Sequence, residues 1–252
     1  VEITPDIDTA SLLNRKSGDR VLIEIQRPDA DETEELVVLP ISLGEQNRLL
    51  YNRFVEINEQ EVAEKSDGRL GYVHIPGMSD EPYRRVFEEM LGKYDDAEAV
   101  IVDTRFNGGG DLVADLAMFF TGESFLTYAT EAKVVGGEPT SRWSKPTLSL
   151  FNESMYSDGH CYASGYTDLE IGKTVGMPVP GTCSFAGWER LSNGVVWGVV
   201  PVSAKNQAGE WLENNQTDPM IRVKNMPGVI NEGRDQQLER GIRELLNDLE
   251  SE

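Results

Sequence analysis

The sequence predicts an α/β fold, and three observations carry that reading. From Gly68 onward, apolar runs alternate with segments of helical periodicity. The runs around Leu70–Ile75, Ala97–Thr104 and Leu148–Phe151 are short and continuously apolar, as buried strands are. Clusters of glycine, proline and asparagine, Pro76-Gly77 and Asn107-Gly-Gly-Gly110 among them, fall at the junctions where the chain must turn.

Taken in order, Pro5-Asp6 suggests a turn and Ala10–Leu13 a short helix. Arg20–Ile25 and Glu35–Ile41 read as paired strands, joined by the charged turn Asp29–Glu34. They look like the end of a small β domain. Residues 45–65 favour a helix with Leu49, Leu50, Phe54, Ile57 and Val62 as its apolar stripe, a connector expected to dock on the main domain. Then follow a strand at Leu70–Ile75, an amphipathic helix at Pro82–Leu91, a strand at Ala97–Thr104 and a helix at Leu112–Phe120. Strands are expected near 124–134 and at 147–151, a helix near 158–166 and a strand at Gly172–Gly176. Residues 181–203 read as a β-meander turning at Ser192-Asn-Gly194. A closing helix, Asp235–Leu249, repeats apolar residues at Leu238, Ile242, Leu245, Leu246 and Leu249.

Composition narrows the function. At 252 residues, with 39% apolar and 27% charged side chains, the chain can bury a real core. A formal charge of -21 argues against nucleic acid as a partner, because nothing supplies a basic face. No window is apolar enough for a membrane span. His74 and His160 are too few and too isolated for a zinc site, and no metal or cofactor is expected. Cys161 and Cys183 leave two states open, one bridge or two buried thiols, the second being the commoner fate. The chain starts at Val1 with no signal-like segment and reads as an excised piece of a longer protein, so its compartment stays undetermined.

Three segments could carry chemistry. Ser157 stands where the run Leu148–Phe151 gives way to a helix, a position with free N–H groups and a positive dipole end. It is the candidate nucleophile; the plainer alternative is that Ser157-Asp158 caps the helix. Val102-Asp-Thr-Arg-Phe-Asn-Gly-Gly-Gly110 offers backbone N–H groups on a flexible turn after a buried strand. It lacks the lysine and Ser/Thr of a phosphate loop, so an oxyanion hole is the better functional reading, against a plain tight turn. Glu213, entering a polar turn after Trp211-Leu212, could orient a base, or be an ordinary loop carboxylate. A base is hard to find: His160 lies three residues from Ser157 and points elsewhere on a helix, and His74 sits within a strand.

Five segments in order carry a resemblance: Gly68–Pro76, Val102–Gly110, Asn152–Gly159, Glu213 with Asp218-Pro219, and Gly233–Arg240. Together they resemble the core of a tail-specific (C-terminal processing) serine peptidase, and within that group the tricorn branch. The resemblance implies a crotonase-like α/β spiral over residues 68–252, a helical connector at 45–67, and at 1–44 the second half of a PDZ-like domain. It implies Ser157 as nucleophile, the backbone N–H of Asp158 and one from Gly108–Gly109 as oxyanion hole, and Glu213 as a tetrad member. In the tricorn branch a Ser–His pair from an upstream helical domain completes that tetrad. The bacterial and plastid branch instead uses a Ser–Lys dyad, but the segment where its lysine falls reads Gly176-Met-Pro-Val-Pro-Gly-Thr182, with Thr182 in the place.

The implied function is hydrolysis of peptide bonds in peptides or unfolded polypeptides by acyl transfer, with homo-oligomeric assembly in keeping with the family. With no base of its own, the 252-residue chain alone is expected to be inactive or nearly so. Two alternatives stand beside it: a catalytically silent member that grips peptides at a strand edge, and crotonase-type chemistry on a coenzyme A thioester, which the order of motifs disfavours.

Overall fold

A computed structural model of the protein describes residues 2–251. The chain divides into two compact units, residues 1–56 and 57–252. The division falls inside a helix, whereas the expected boundaries lie at its two ends.

In the first unit a short helix, α1 (Thr9–Leu12), is capped by the Asp8 carboxylate, which accepts the Ala10 N–H. Strands β1 (Val21–Gln26) and β2 (Thr33–Val38) form an antiparallel hairpin with Val21 opposite Val38 and Gln26 opposite Thr33. Helix α2 spans Leu43–Lys65 and crosses into the second unit. Of its expected apolar stripe, Val62 is buried while Leu49, Leu50 and Ile57 are exposed. The helix's other buried side chain is polar: Asn58 donates to the Tyr72 hydroxyl.

The second unit is built on five parallel strands in the order β11-β8-β7-β4-β3, neighbours in space following chain order throughout. They are β3 (Leu70–His74), β4 (Ala99–Asp103), β7 (Thr147–Phe151), β8 (Lys173–Gly176) and β11 (Ile221–Arg222). Every residue of β3, β4 and β7 is buried, which is why their sequences read as unbroken runs. Alternation still sorts the two faces. Val100, Val102 and Phe151 join Val86, Met90, Leu116, Phe119, Tyr162 and Tyr166 in one cluster with helices α3 (Asp80–Glu88), α4 (Val113–Thr121) and α5 (Asp158–Asp168). Ile101, Leu148 and Leu150 face helix α6 (Gln236–Leu249), which comes so close that a Cβ on Gly241 would lie 3.0 Å from a Leu150 methyl. Helix α3 runs into a π-helical turn, Glu89–Lys93.

Two antiparallel ribbons depart from the sheet. Strands β5 (Leu126–Ala129) and β6 (Val134–Glu138) pair only with each other, as do β9 (Ser184–Arg190) and β10 (Val196–Ser203). The expected meander over 181–203 is this single hairpin. Its residues are nearly all exposed, Phe185, Trp188, Trp197, Val199 and Val202 included. No helix among the described residues is long and apolar enough to cross a membrane.

Candidate active site

The parallel strands end at one rim, and the two loops that leave β4 and β7 there are laced together. After Asp103 the chain turns through Thr104–Gly110; after Phe151 it turns through Asn152–Tyr156 into α5. The Tyr156 N–H donates to the Asn107 carbonyl at 2.9 Å, and the Phe106 N–H donates to Asn152 Oδ1 at 3.0 Å. Asn107 is fully buried: its Nδ2 donates to the Ile75 carbonyl and its Oδ1 accepts the Gly109 N–H, both at 2.8 Å. An asparagine here satisfies a donor and an acceptor that the turn would otherwise leave unpaired.

Ser157 occupies the junction with φ 54° and ψ -123°, a conformation costly for a residue with a Cβ. Its side chain makes no capping bond to α5, so the plain capping reading does not describe it. The cap in this region is made by its neighbour and for another helix. Asp158 Oδ2 accepts the Leu112 and Val113 N–H groups at 2.7 and 3.1 Å, at the start of α4. Burial pushes the Asp158 carboxyl up from its ordinary value, and those two N–H donors oppose the shift.

Gly109 packs directly against this junction. It has φ 84°, and a Cβ there would stand 2.6 Å from Ser157 Cβ, 2.7 Å from the Tyr156 carbonyl and 3.1 Å from the Asp158 nitrogen. Only glycine fits. Gly159 is held to the same requirement, since a Cβ would lie 2.9 Å from Asn107 Oδ1. Among the described residues the Asp158 N–H has no hydrogen-bond partner. The amides of the glycine turn differ: Gly108 N–H donates to the Pro76 carbonyl at 3.0 Å and Gly109 N–H to Asn107. Of the three predicted donors only the Asp158 amide is unengaged, and of the two glycines it is the half-buried Gly109 that packs against Ser157, while Gly108 is exposed.

Glu213 lies beyond β10. Its Oε2 accepts the Ser184 hydroxyl, and Ser184 Oγ is 2.9 Å from Ser203 Oγ, so the carboxylate is anchored where β9 begins and β10 ends. It is half-buried. His160 is fully buried in α5. Its Nδ1 accepts the Thr182 and Cys183 N–H groups at 3.1 and 3.0 Å. That leaves the ring proton on Nε2, donated to Thr217 Oγ1 at 2.9 Å. Burial lowers its pKa to about 4, against the opposing pull of Glu213, and the ring is neutral near pH 7. His74 is buried on β3 with Nε2 2.9 Å from the Arg105 carbonyl. Neither ring is disposed as a base for Ser157. No group of histidine, cysteine and acidic side chains among the described residues could hold a metal ion.

Three features of the site go beyond the sequence reading. Cys161 and Cys183 form a disulfide with Cα atoms 4.9 Å apart, not two buried thiols. Thr182, which the sequence marks only as a missing lysine, accepts the Ser157 N–H at 2.9 Å. Arg105, buried beneath the glycine turn, pairs with Asp103 and with Asp235, the residue that caps α6, each at 2.6 Å. Burial opposes the charge on both Arg105 and Asp103. Even so, the adjacent acids raise the guanidinium's pKa, and Arg105 in turn holds Asp103 below its ordinary value. The charged residues inside two of the five ordered segments were the available signal: Asp103 and Arg105 in one, Asp235 in another.

Residues 69–223 match the profile of peptidase family S41. The chain is 28% identical over 242 residues to the tricorn protease of Thermoplasma volcanium, covering 93% of this chain and 23% of that protein. It is 27% identical over 254 residues to tricorn protease homolog 1 of Streptomyces coelicolor, covering 98% and 23%. The chain thus spans about a quarter of the length of these relatives. Among solved structures, the tricorn protease crystal structure superposes with a TM-score of 0.79 at 23% identity, over 95% of this chain and 23% of that one. The photosystem II D1 C-terminal processing protease gives 0.51 at 17%, over 90% and 60%.

Proposed function

Since the chain belongs to peptidase family S41 and is of tricorn type, we propose that it hydrolyses peptide bonds through Ser157. The observation that carries the reading is the Ser157–Asp158 junction: a serine at positive φ whose following N–H is unengaged, pressed against a glycine that admits no side chain. A tetrahedral intermediate formed on Ser157 Oγ would place its oxyanion against the Asp158 N–H. The Gly109 N–H would join as second donor by sharing its hydrogen between Asn107 Oδ1 and the oxyanion, while Gly108 shapes the turn.

Glu213 would serve as the acid of the tetrad, acting through a hydroxyl as it already does with Ser184. The general base would be a histidine from an upstream domain, because both histidines here are buried and bonded elsewhere. The substrate would be a peptide or unfolded polypeptide, with homo-oligomeric assembly as a further proposal. In the same reading residues 68–252 are a crotonase-like peptidase core, 45–67 a connector and 1–44 the end of a PDZ-like domain. Chain-ordered parallel strands and the β1–β2 hairpin support it.

A fluorophosphonate applied to the full-length protein tests the function. The expected result is a label on Ser157 that Ser157→Ala abolishes. A second reading, a silent peptide-binding member, draws on the committed histidines; a folded protein that binds peptide but takes no label would favour it.

A further inference from the structure

Three successive links join the first turn of α5 to the segment Thr182–Cys183. The Ser157 N–H donates to Thr182 Oγ1 at 2.9 Å. His160 Nδ1 accepts the main-chain N–H groups of Thr182 and Cys183. The Cys161–Cys183 disulfide closes the set covalently, one turn beyond Ser157. Thr182 Oγ1 points its own proton at the Pro180 carbonyl, 3.3 Å away, which orients the lone pairs toward the Ser157 amide.

We infer that Thr182 is a positioning residue for Ser157, kept in register by His160 and the Cys161–Cys183 bridge. This rests on the reading of Ser157 as nucleophile. The physical argument is one of backbone direction. At φ 54° the Ser157 residue sits outside the wells open to most side chains, and it stays there only if both flanking peptides are held. The Tyr156 carbonyl, accepting the Gly159 N–H at 2.9 Å, engages the peptide before. The Ser157 carbonyl, accepting the His160 N–H at 2.8 Å, holds the peptide after. The remaining freedom is rotation about φ, which swings Oγ and the Asp158 N–H together relative to Gly109 and the Asn107 turn, and the bond from Ser157 N–H to Thr182 removes it. Deleting that acceptor lets Ser157 relax toward negative φ and carries Oγ and the Asp158 amide away from Gly109, whose N–H is the second oxyanion donor in that reading. A hydroxyl thus stands where the dyad branch of the family places its lysine, and it orients the nucleophile instead of deprotonating it.

The test uses the full-length protein and the rate of fluorophosphonate labelling at Ser157, which reads the serine directly. Thr182→Val keeps shape and removes the acceptor; Thr182→Ser restores it. The expected result is labelling slowed about 10-fold or more in Thr182→Val, in line with one lost hydrogen bond of about 1–2 kcal/mol, and returned to within about 3-fold of wild type in Thr182→Ser. The rescue separates positioning from packing, because serine lacks the methyl group that valine keeps. Wild-type labelling in Thr182→Val overturns the inference and leaves the peptidase reading standing. An unlabelled wild-type protein overturns both. Should Thr182→Val fail to fold, reduction of the Cys161–Cys183 bridge with a phosphine decides. Slower labelling, with the circular dichroism of the helices retained, supports the brace, and an unchanged rate overturns it.

Discussion

Two parts of the candidate site are built in opposite ways. Around Ser157 the polar side chains are committed: Asn107, Asn152, Asp158, His160 and Thr182 each tie one loop to another, and the Asp158 amide has no partner among the described residues. Around Glu213 the arrangement is sparse. A half-buried carboxylate takes one serine hydroxyl at the base of an exposed ribbon. The difference teaches where the chemistry is preorganised. Stabilising an oxyanion needs fixed dipoles, which the rim of a buried parallel sheet can hold. Orienting a base needs a group free to meet one, and a carboxylate already bonded to a hydroxyl is suited to exchange that hydroxyl for another.

Substitutions and pH can break that contrast or sharpen it. The largest expected effect comes from Arg105→Met, which leaves Asp103 and Asp235 without their cation at two fully or nearly buried sites. Removing one partner of such a pair costs roughly 3–5 kcal/mol. A urea midpoint that shifts by much less would show that the glycine turn does not depend on the buried pair beneath it.

Lowering the pH tests the histidine brace. His160 has a folded pKa of about 4, below the 6.5 of an unperturbed ring. Between those values the unfolded chain binds a proton that the folded one refuses. The contribution of neutral His160 is therefore complete above pH 6.5, declines as pH falls from there, and is gone by about pH 4. The total is roughly 3 kcal/mol, and His160→Gln should flatten that part of the stability profile. Equal slopes in the two proteins would remove His160 from the brace.

Gly109→Ala comes next. The added methyl meets Ser157 Cβ and the Tyr156 carbonyl at distances no Cβ tolerates, at a φ that disfavours alanine. We expect about 2–3 kcal/mol of destabilisation and Ser157 labelling reduced about 100-fold, since the displaced atoms belong to the junction itself. Glu213→Gln closes the series. Stability should change by less than about 1 kcal/mol, because an amide oxygen can still accept from Ser184. Peptide turnover by the full-length protein should fall by about 100-fold or more, while fluorophosphonate labelling should change less. If the Glu213→Gln variant kept full turnover, the proposed tetrad would lose its acid.

Elements buried on both sides were legible from residues alone. The runs in β3, β4 and β7 read as strands because both faces are buried, and α6 read as a helix because its stripe residues Leu238, Ile242 and Leu245 are buried on one face. Weakly patterned elements were not. The second strand of the β5–β6 ribbon is Val134-Val-Gly-Gly-Glu138, exposed along most of its length, and β11 is two residues long.

By itself the sequence determined the order of the buried strands and of the helices, the serine at the strand-to-helix junction, the glycines that let another backbone approach it, and the family. These are local or pairwise properties, recorded in residue type and spacing. The tertiary structure alone decided that Cys161 meets Cys183, that His160 faces Thr182 rather than Ser157, that Arg105 bridges Asp103 to Asp235, and that the glycine turn commits the Gly108 amide to Pro76 and the Gly109 amide to Asn107. Each of these joins residues from different elements. Their meeting is set by how helices pack on the sheet, a collective outcome that no single stretch of chain encodes.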